Sequence, residues 1–181
     1  MSLERPNIRQ TKVDVLQIKT QLSHEFLDAR PGWLGHYVRH VAEAALRAME
    51  TDETIAFEAT TVTSEFVANA EEHGGTLTDF VLAHTSPVTE AEPEAVYLIT
   101  SNPAKDTTST PGTDHRGALA SDETNSTSTS GRGLLMTDAY SGHNWGQRNV
   151  VAPDGKQEIV TFAVLSPSQD PEDRFFFEDA A

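Results

Sequence analysis

A chain of 181 residues with 37% hydrophobic side chains suits one domain with a sizeable core, and a formal net charge of −15 excludes the basic surface that nucleic acid requires. The absence of cysteine removes disulfides, zinc–thiolate sites and thiol catalysis together. No stretch resembles a signal peptide, and no apolar run approaches the ~20 residues that span a bilayer, so a cytoplasmic protein with neither nucleic-acid nor membrane partners is expected. Residues 1–11 are polar and carry Pro6, which reads as a loose leader. Val13, Val15 and, after a slip at Leu16, Ile18 predict a short strand. After the turn signal Asp28-Ala29-Arg30-Pro31-Gly32, Leu34, Val38, Val41, Ala45 and Leu46 recur at helical spacing to about Met49. Thr51-Asp52 caps a second helix whose apolar stripe is Ile55, Ala59, Val62, Phe66 and Ala70, with Glu53 and Glu58 near its positive end. Gly74-Gly75 is expected to end it.

Leu77 to Ala83 reads as a strand and Val96 to Thr100 as a stronger one, stopped at Ser101-Asn102-Pro103 by the proline. Twelve of the 24 residues from Thr107 to Ser130 are Ser or Thr, so residues 106–130 read as a lid or linker without a core of its own. Gly131-Arg132-Gly133-Leu134 opens a short helix running to about Tyr140. Trp145 to Val151, the turn Pro153-Asp154-Gly155 and Lys156 to Leu165 predict a hairpin with Val160, Phe162 and Val164 facing inward. From Pro167 the chain is polar and acidic, interrupted by Phe175-Phe176-Phe177, a candidate docking peptide or a segment that packs back onto the sheet. The order predicts an α+β fold, a two-layer sandwich with helices on one face of a mixed sheet, over residues 12–166 with the tail 167–181 outside it.

Within the second helix, Glu65, Asn69 and His73 stand at i, i+4 and i+8 and share one face. A polar stripe on a core-facing helix is costly unless something binds it, which makes it a candidate site. The glycines around Arg132 let backbone approach an anion at a helix start, where free N–H groups and the helix dipole favour phosphate. An Asn on a facing helix is a suitable oxygen ligand for Mg²⁺, and a Glu one turn earlier can accept a proton from an attacking hydroxyl. No Walker-type Gly-Lys-Ser/Thr and no full Gly-x-Gly-x-x-Gly is present, so the commonest nucleotide folds are not indicated. His36, His40 and Glu43 stand at i, i+4 and i+7, a spacing that permits a metal but lacks an evident further ligand.

Glu65-Phe-Val-Ala-Asn69-Ala-Glu-Glu-His73-Gly74, followed by Gly131-Arg-Gly-Leu-Leu-Met and Trp145-Gly146, resembles the GHKL (histidine-kinase-like) ATPase superfamily. Within it the chain looks most like the bacterial anti-sigma-factor serine/threonine kinases. The resemblance covers roughly residues 12–166 and implies a Bergerat-type ATP-binding sandwich. It makes Asn69 the Mg²⁺ ligand and Glu65 the general base. The ATP contacts it implies are Asn69, Asn102, Gly131, Arg132, Gly133 and Leu134, while His73 falls where the family often has a histidine. It implies a kinase that phosphorylates a serine on an antagonist protein and holds a sigma factor inactive. The family places an Asp at the end of the strand before the lid, where this chain has Asn102. Asn offers one carbonyl oxygen and an amide that repels other donors, so adenine binding is expected to be weaker by about 1–3 kcal/mol. That departure supports a second expectation, a binding module on the same fold that sequesters a partner without ATP turnover, as a homodimer in one form.

Overall fold

The computed structural model describes residues 12–19, 32–71, 76–86, 93–104, 114–116 and 129–167. The strands are β1 (Val13–Lys19), β2 (Asp79–Thr85), β3 (Ala95–Pro103), β4 (Asp114–Arg116), β5 (Trp145–Val151) and β6 (Gln157–Leu165). They form one six-stranded sheet in the order β1-β2-β3-β6-β5-β4. The helices α1 (Trp33–Ala48), α2 (Glu53–Asn69) and α3 (Thr129–Ser141) pack on one face.

Every strand pair is antiparallel, so the mixed sheet expected from the sequence is corrected. A single crossover helix would return β2 parallel to β1. Here the connection contains α1 and α2, which run out and back, and β2 therefore arrives antiparallel. The architecture is an α+β sandwich with one covered sheet face.

Register shows which residues line that face. One row runs Leu16, Leu82, Leu98, Ala163, Trp145 and the next Ile18, Phe80, Thr100, Thr161, Gln147. Leu34, Val38, Ala42 and Leu46 of α1 and Ile55, Ala59, Val62 and Phe66 of α2 close over them, all buried. Two side-chain phases differ from expectation. In β1 there is no slip: Leu16 and Ile18 pack on the core, while Val13 and Val15 are 54% and 60% exposed. In β6 the buried residues are Thr161, Ala163 and Leu165, so Val160, Phe162 and Val164 lie on the opposite face. Trp145 is the reason, because its indole fills the core opposite the small side chain of Ala163.

β3 continues past the expected stop. Pro103 pairs with Glu158, and the next residue, Ala104, donates to Gln157 O at 3.0 Å. Alternate residues of a strand turn their N–H groups to opposite sides, so the bond the proline cannot make would have pointed away from β6. β2 reaches only to Asp79, opposite Ser101, so that side has no partner strand to lose.

The Ser/Thr-rich segment also departs from a plain lid. Asp114–Arg116 within it pairs with β5, and α3 begins at Thr129, two residues before Gly131. The hairpin of β5 and β6 matches its expected bounds closely, with Gly155 at φ +84° completing the turn. No helix among the described residues is long and apolar enough to cross a membrane.

Candidate functional site

α2 sets the position of the site by being anchored at its beginning. The Asp52 carboxylate accepts from Thr54 N at 2.9 Å and Ile55 N at 3.3 Å, satisfying two of the orphan donors of the first turn. Glu94, just before β3, accepts from Asp52 N at 3.1 Å and lies 2.7 Å from Nε2 of the buried His84. The start of α2 is thus tied to the start of β3.

From that tie, α2 reaches Asn69 after roughly 25 Å at 1.5 Å per residue. β3 reaches Asn102 after about 26 Å at some 3.3 Å per residue. The helix lies against this strand, and both run the same way, so the two asparagines come to one end of the sandwich. A second tie holds that end, because Thr78 N donates to Ser101 O at 2.8 Å and Thr78 Oγ1 to the same oxygen at 2.9 Å.

α3 brings a third part. Its C-terminal end is fixed beside Trp145, whose indole N–H donates to Asp138 Oδ1 at 2.8 Å, and Val164 N donates to Asn144 O at 2.9 Å. His143 N donates to Asp138 O at 2.9 Å, closing the helix with Gly142 and His143 in the left-handed region. β5 leaves this corner towards Val151, and α3 packs against β5 and β6. The N-terminus of α3 therefore points to the Asn102 end.

The expected site residues can now be placed. Glu65 and Asn69 are half-buried on α2, one turn apart. The Nδ2 of Asn69 is buried and has no hydrogen-bond partner among the described residues. A buried amide nitrogen that the described residues leave without an acceptor suits an outside oxygen. In this orientation it donates to an anionic oxygen or a water, and rotated half a turn it presents Oδ1 to a cation.

Asn102 lies within β3, not beyond its end, and is 5% exposed, with Nδ2 donating to Pro103 O at 3.3 Å. Gly131 and Gly133 lie inside the first turns of α3 instead of ahead of it. Gly131 N–H is among the first four of the helix and has no intrahelical acceptor, whereas Gly133 is far enough in to bond within the helix. Arg132 shares that turn, and Leu134 packs against the core.

His73 and Gly74-Gly75 lie outside the described residues. The α-helical part of α2 runs to Asn69 and passes into a π-type turn at Ala70 and Glu71. Such turns concentrate at functional sites because they re-aim the side chains beside them. Sequence reasoning passed over Glu71, whose carboxyl is pushed above its ordinary range by burial.

Away from this end, the rings of His36 and His40 meet edge-on with centroids 4.2 Å apart, and His40 Nδ1 stands 3.8 Å from Glu43. No group of three metal-ligating side chains converges among the described residues. Lys156 pairs with Asp154 at 2.8 Å in the hairpin turn, far out in solvent. Neither family models nor curated proteins return a match to this chain.

Proposed function

We propose that this chain is an ATP-binding regulatory protein with a Bergerat-type site, acting as a serine/threonine kinase on an antagonist protein and sequestering a sigma factor. The observation that carries the reading is the buried Nδ2 of Asn69, without a partner among the described residues, at the end of the sandwich to which Asn102 and the start of α3 also run. Mg²⁺ and ATP suit this donor set: a carboxamide on one helix, first-turn backbone N–H groups without intrahelical acceptors at the start of another, and a buried amide on the strand between them.

Asn69 would hold Mg²⁺, and Glu65, one turn earlier, would accept the proton of the attacking serine hydroxyl. The free N–H groups at Gly131 and its neighbours would bond phosphate oxygens, with Arg132 adding charge. Bound ATP would supply the γ-phosphoryl group that moves to the serine oxygen, leaving ADP.

A second reading is a binding module of the same fold without turnover, and Asn102 favours it. The buried carboxamide already gives its N–H to Pro103 O and offers the adenine amino group one carbonyl oxygen.

Calorimetric titration of ATP with and without Mg²⁺, on the wild type and Asn69→Ala, tests the first reading. Mg²⁺ is expected to tighten ATP binding in the wild type, and Asn69→Ala to lose about 1–3 kcal/mol of it. If both proteins ignore millimolar ATP, the reading is wrong. Glu65→Gln separates the two functions: under the kinase reading it abolishes phosphate transfer and spares ATP affinity. A protein that binds ATP and its partner but never transfers phosphate is the sequestering module.

A further inference from the structure

The helices cover one face of the sheet, and among the described residues no element covers the other, where Val81, Tyr97, Phe162 and Val164 are half-exposed. Side-chain alternation places Val13, Val15 and Gln17 of β1, Val81 and Ala83 of β2, Tyr97 and Ile99 of β3, and Val160, Phe162 and Val164 of β6 on that second face. Read across the strands, one row is Val15, Ala83, Tyr97, Val164 and the next is Gln17, Val81, Ile99, Phe162. Val13, Val15 and Ile99 are 54%, 60% and 37% exposed. The charged side chains are grouped at the opposite end, in the row Lys19, Asp79, Ser101, Val160, Arg148. An apolar patch of this kind, polar along one border, marks a surface that something covers.

The sequence itself carries a matching cover. β6 ends at Leu165, in the centre of the sheet and at its apolar end, and ten residues later come Phe175-Phe176-Phe177, preceded by Glu172-Asp173-Arg174 and followed by Glu178-Asp179. Ten residues reach at most about 35 Å when extended. Crossing from β6 over β3 and β2 to β1 takes only about 15 Å at the usual strand spacing. Pro167 and Pro171 lack N–H groups, and β6 already has β3 and β5 as neighbours, so no strand can be added beside β6.

We infer that Phe175, Phe176 and Phe177 cover this sheet face of their own chain, seated on Val15, Val81, Tyr97, Ile99, Phe162 and Val164. The acidic residues on either side remain in water, because the apolar rows present them no charge to pair with or to bury. This surface lies across the sheet from the Asn69 end, and the inference is independent of nucleotide binding.

The absence of cysteine makes the test direct. A nitroxide placed on the full chain through Glu178→Cys broadens amide signals only where the tail comes close. Signals of Val15, Val81, Tyr97, Ile99, Phe162 and Val164 are expected to lose intensity, and to regain it when Phe175, Phe176 and Phe177 are all replaced by Ser. These phenylalanines lie outside the described core, so that variant is expected to keep the dispersed spectrum of the fold. Broadening confined to α1 and α2, or none at all, overturns the inference. So does broadening that appears only when labelled and isotope-enriched chains are mixed, which would assign the face to the tail of a second copy.

Discussion

Asn102 is a residue where two demands oppose each other. It is 5% exposed, and its amide donates to Pro103 O at 3.3 Å, so the free protein uses the nitrogen that an adenine amino group would find repulsive. Asn102→Asp removes that donation and buries a carboxylate against a carbonyl oxygen, at a cost of about 1–3 kcal/mol in the absence of nucleotide. The same change supplies an acceptor for the adenine amino group. Thermal unfolding is therefore expected to fall without ATP, while the increment produced by ATP grows. An unchanged ATP affinity would place the adenine contact elsewhere. Asp138 is the opposite case, a carboxylate whose partners are all in place: the Trp145 indole at 2.8 Å and His143 Nδ1 at 2.6 Å. Asp138→Ala leaves a buried indole N–H without an acceptor and should cost about 1–3 kcal/mol in urea unfolding. His143→Ala is the control, since that imidazole is 66% exposed and its removal leaves the indole bond to Asp138 in place, so a smaller loss is expected. Equal losses would mean that the indole bond does not hold this corner.

The start of α2 shows how one element can be well anchored and still electrostatically crowded. Asp52, Glu53 and Glu58 share its first turns, and Glu94 is drawn in by Asp52 N–H and His84. Burial, and then the charge of Asp52, push the Glu58 carboxyl above its ordinary value of 4.5. A raised carboxyl pKa means that the folded chain favours the protonated form. The associated stability is fully present below pH 4.5 and is lost as pH rises through the folded value. Glu58→Gln removes the titration, so it should raise the urea midpoint at neutral pH and leave it unchanged in the acid range. A gain that persists in acid would point to packing instead of charge. α2 was legible in the sequence because a cap and a clean apolar stripe agreed with each other. The inward face of β6 was not, since Val160, Phe162 and Val164 are all apolar, and the set that faces inward, Ile159, Thr161, Ala163 and Leu165, includes a Thr. Only the fit of Trp145 against Ala163, across the hairpin, decides between them. The extent of β3 and the start of α3 were hidden for other reasons. A proline is harmless where no neighbouring strand needs its N–H, and a run of Ser and Thr gives no periodicity from which to read a helix.

At the scale of the molecule, the antiparallel sheet and the paired helices act as a ruler. Glu94 joins the start of α2 to the start of β3, Thr78 joins the chain after α2 to Ser101, and Asp138 with Trp145 holds the far end of α3. Asn69, Asn102 and the first turn of α3 come from three distant parts of the sequence, and their meeting at one end follows from matched lengths and from these ties. The individual residues were legible as a pattern; their convergence was not, because it depends on register across the sheet. If this end is the ATP site, a single ligand must brace three elements at once. Hydrogen exchange in saturating Mg²⁺·ATP is expected to slow together at the end of α2, at Ser101 to Ala104 and in the first turns of α3. Amides around His84 and through α1, at the other end and on the outer helix, should exchange as before. Ligand at a hundredfold excess over its Kd stabilises the fold by about 2.7 kcal/mol, and that gain should appear in the slowest-exchanging core amides of β3 and β6. Protection of α3 alone would show that the phosphate contact at Gly131 works without Asn69. Protection centred on Arg39, Arg47 and Phe57, in the groove of about 480 Å³ between α1 and the first half of α2, would move the nucleotide to a different site altogether.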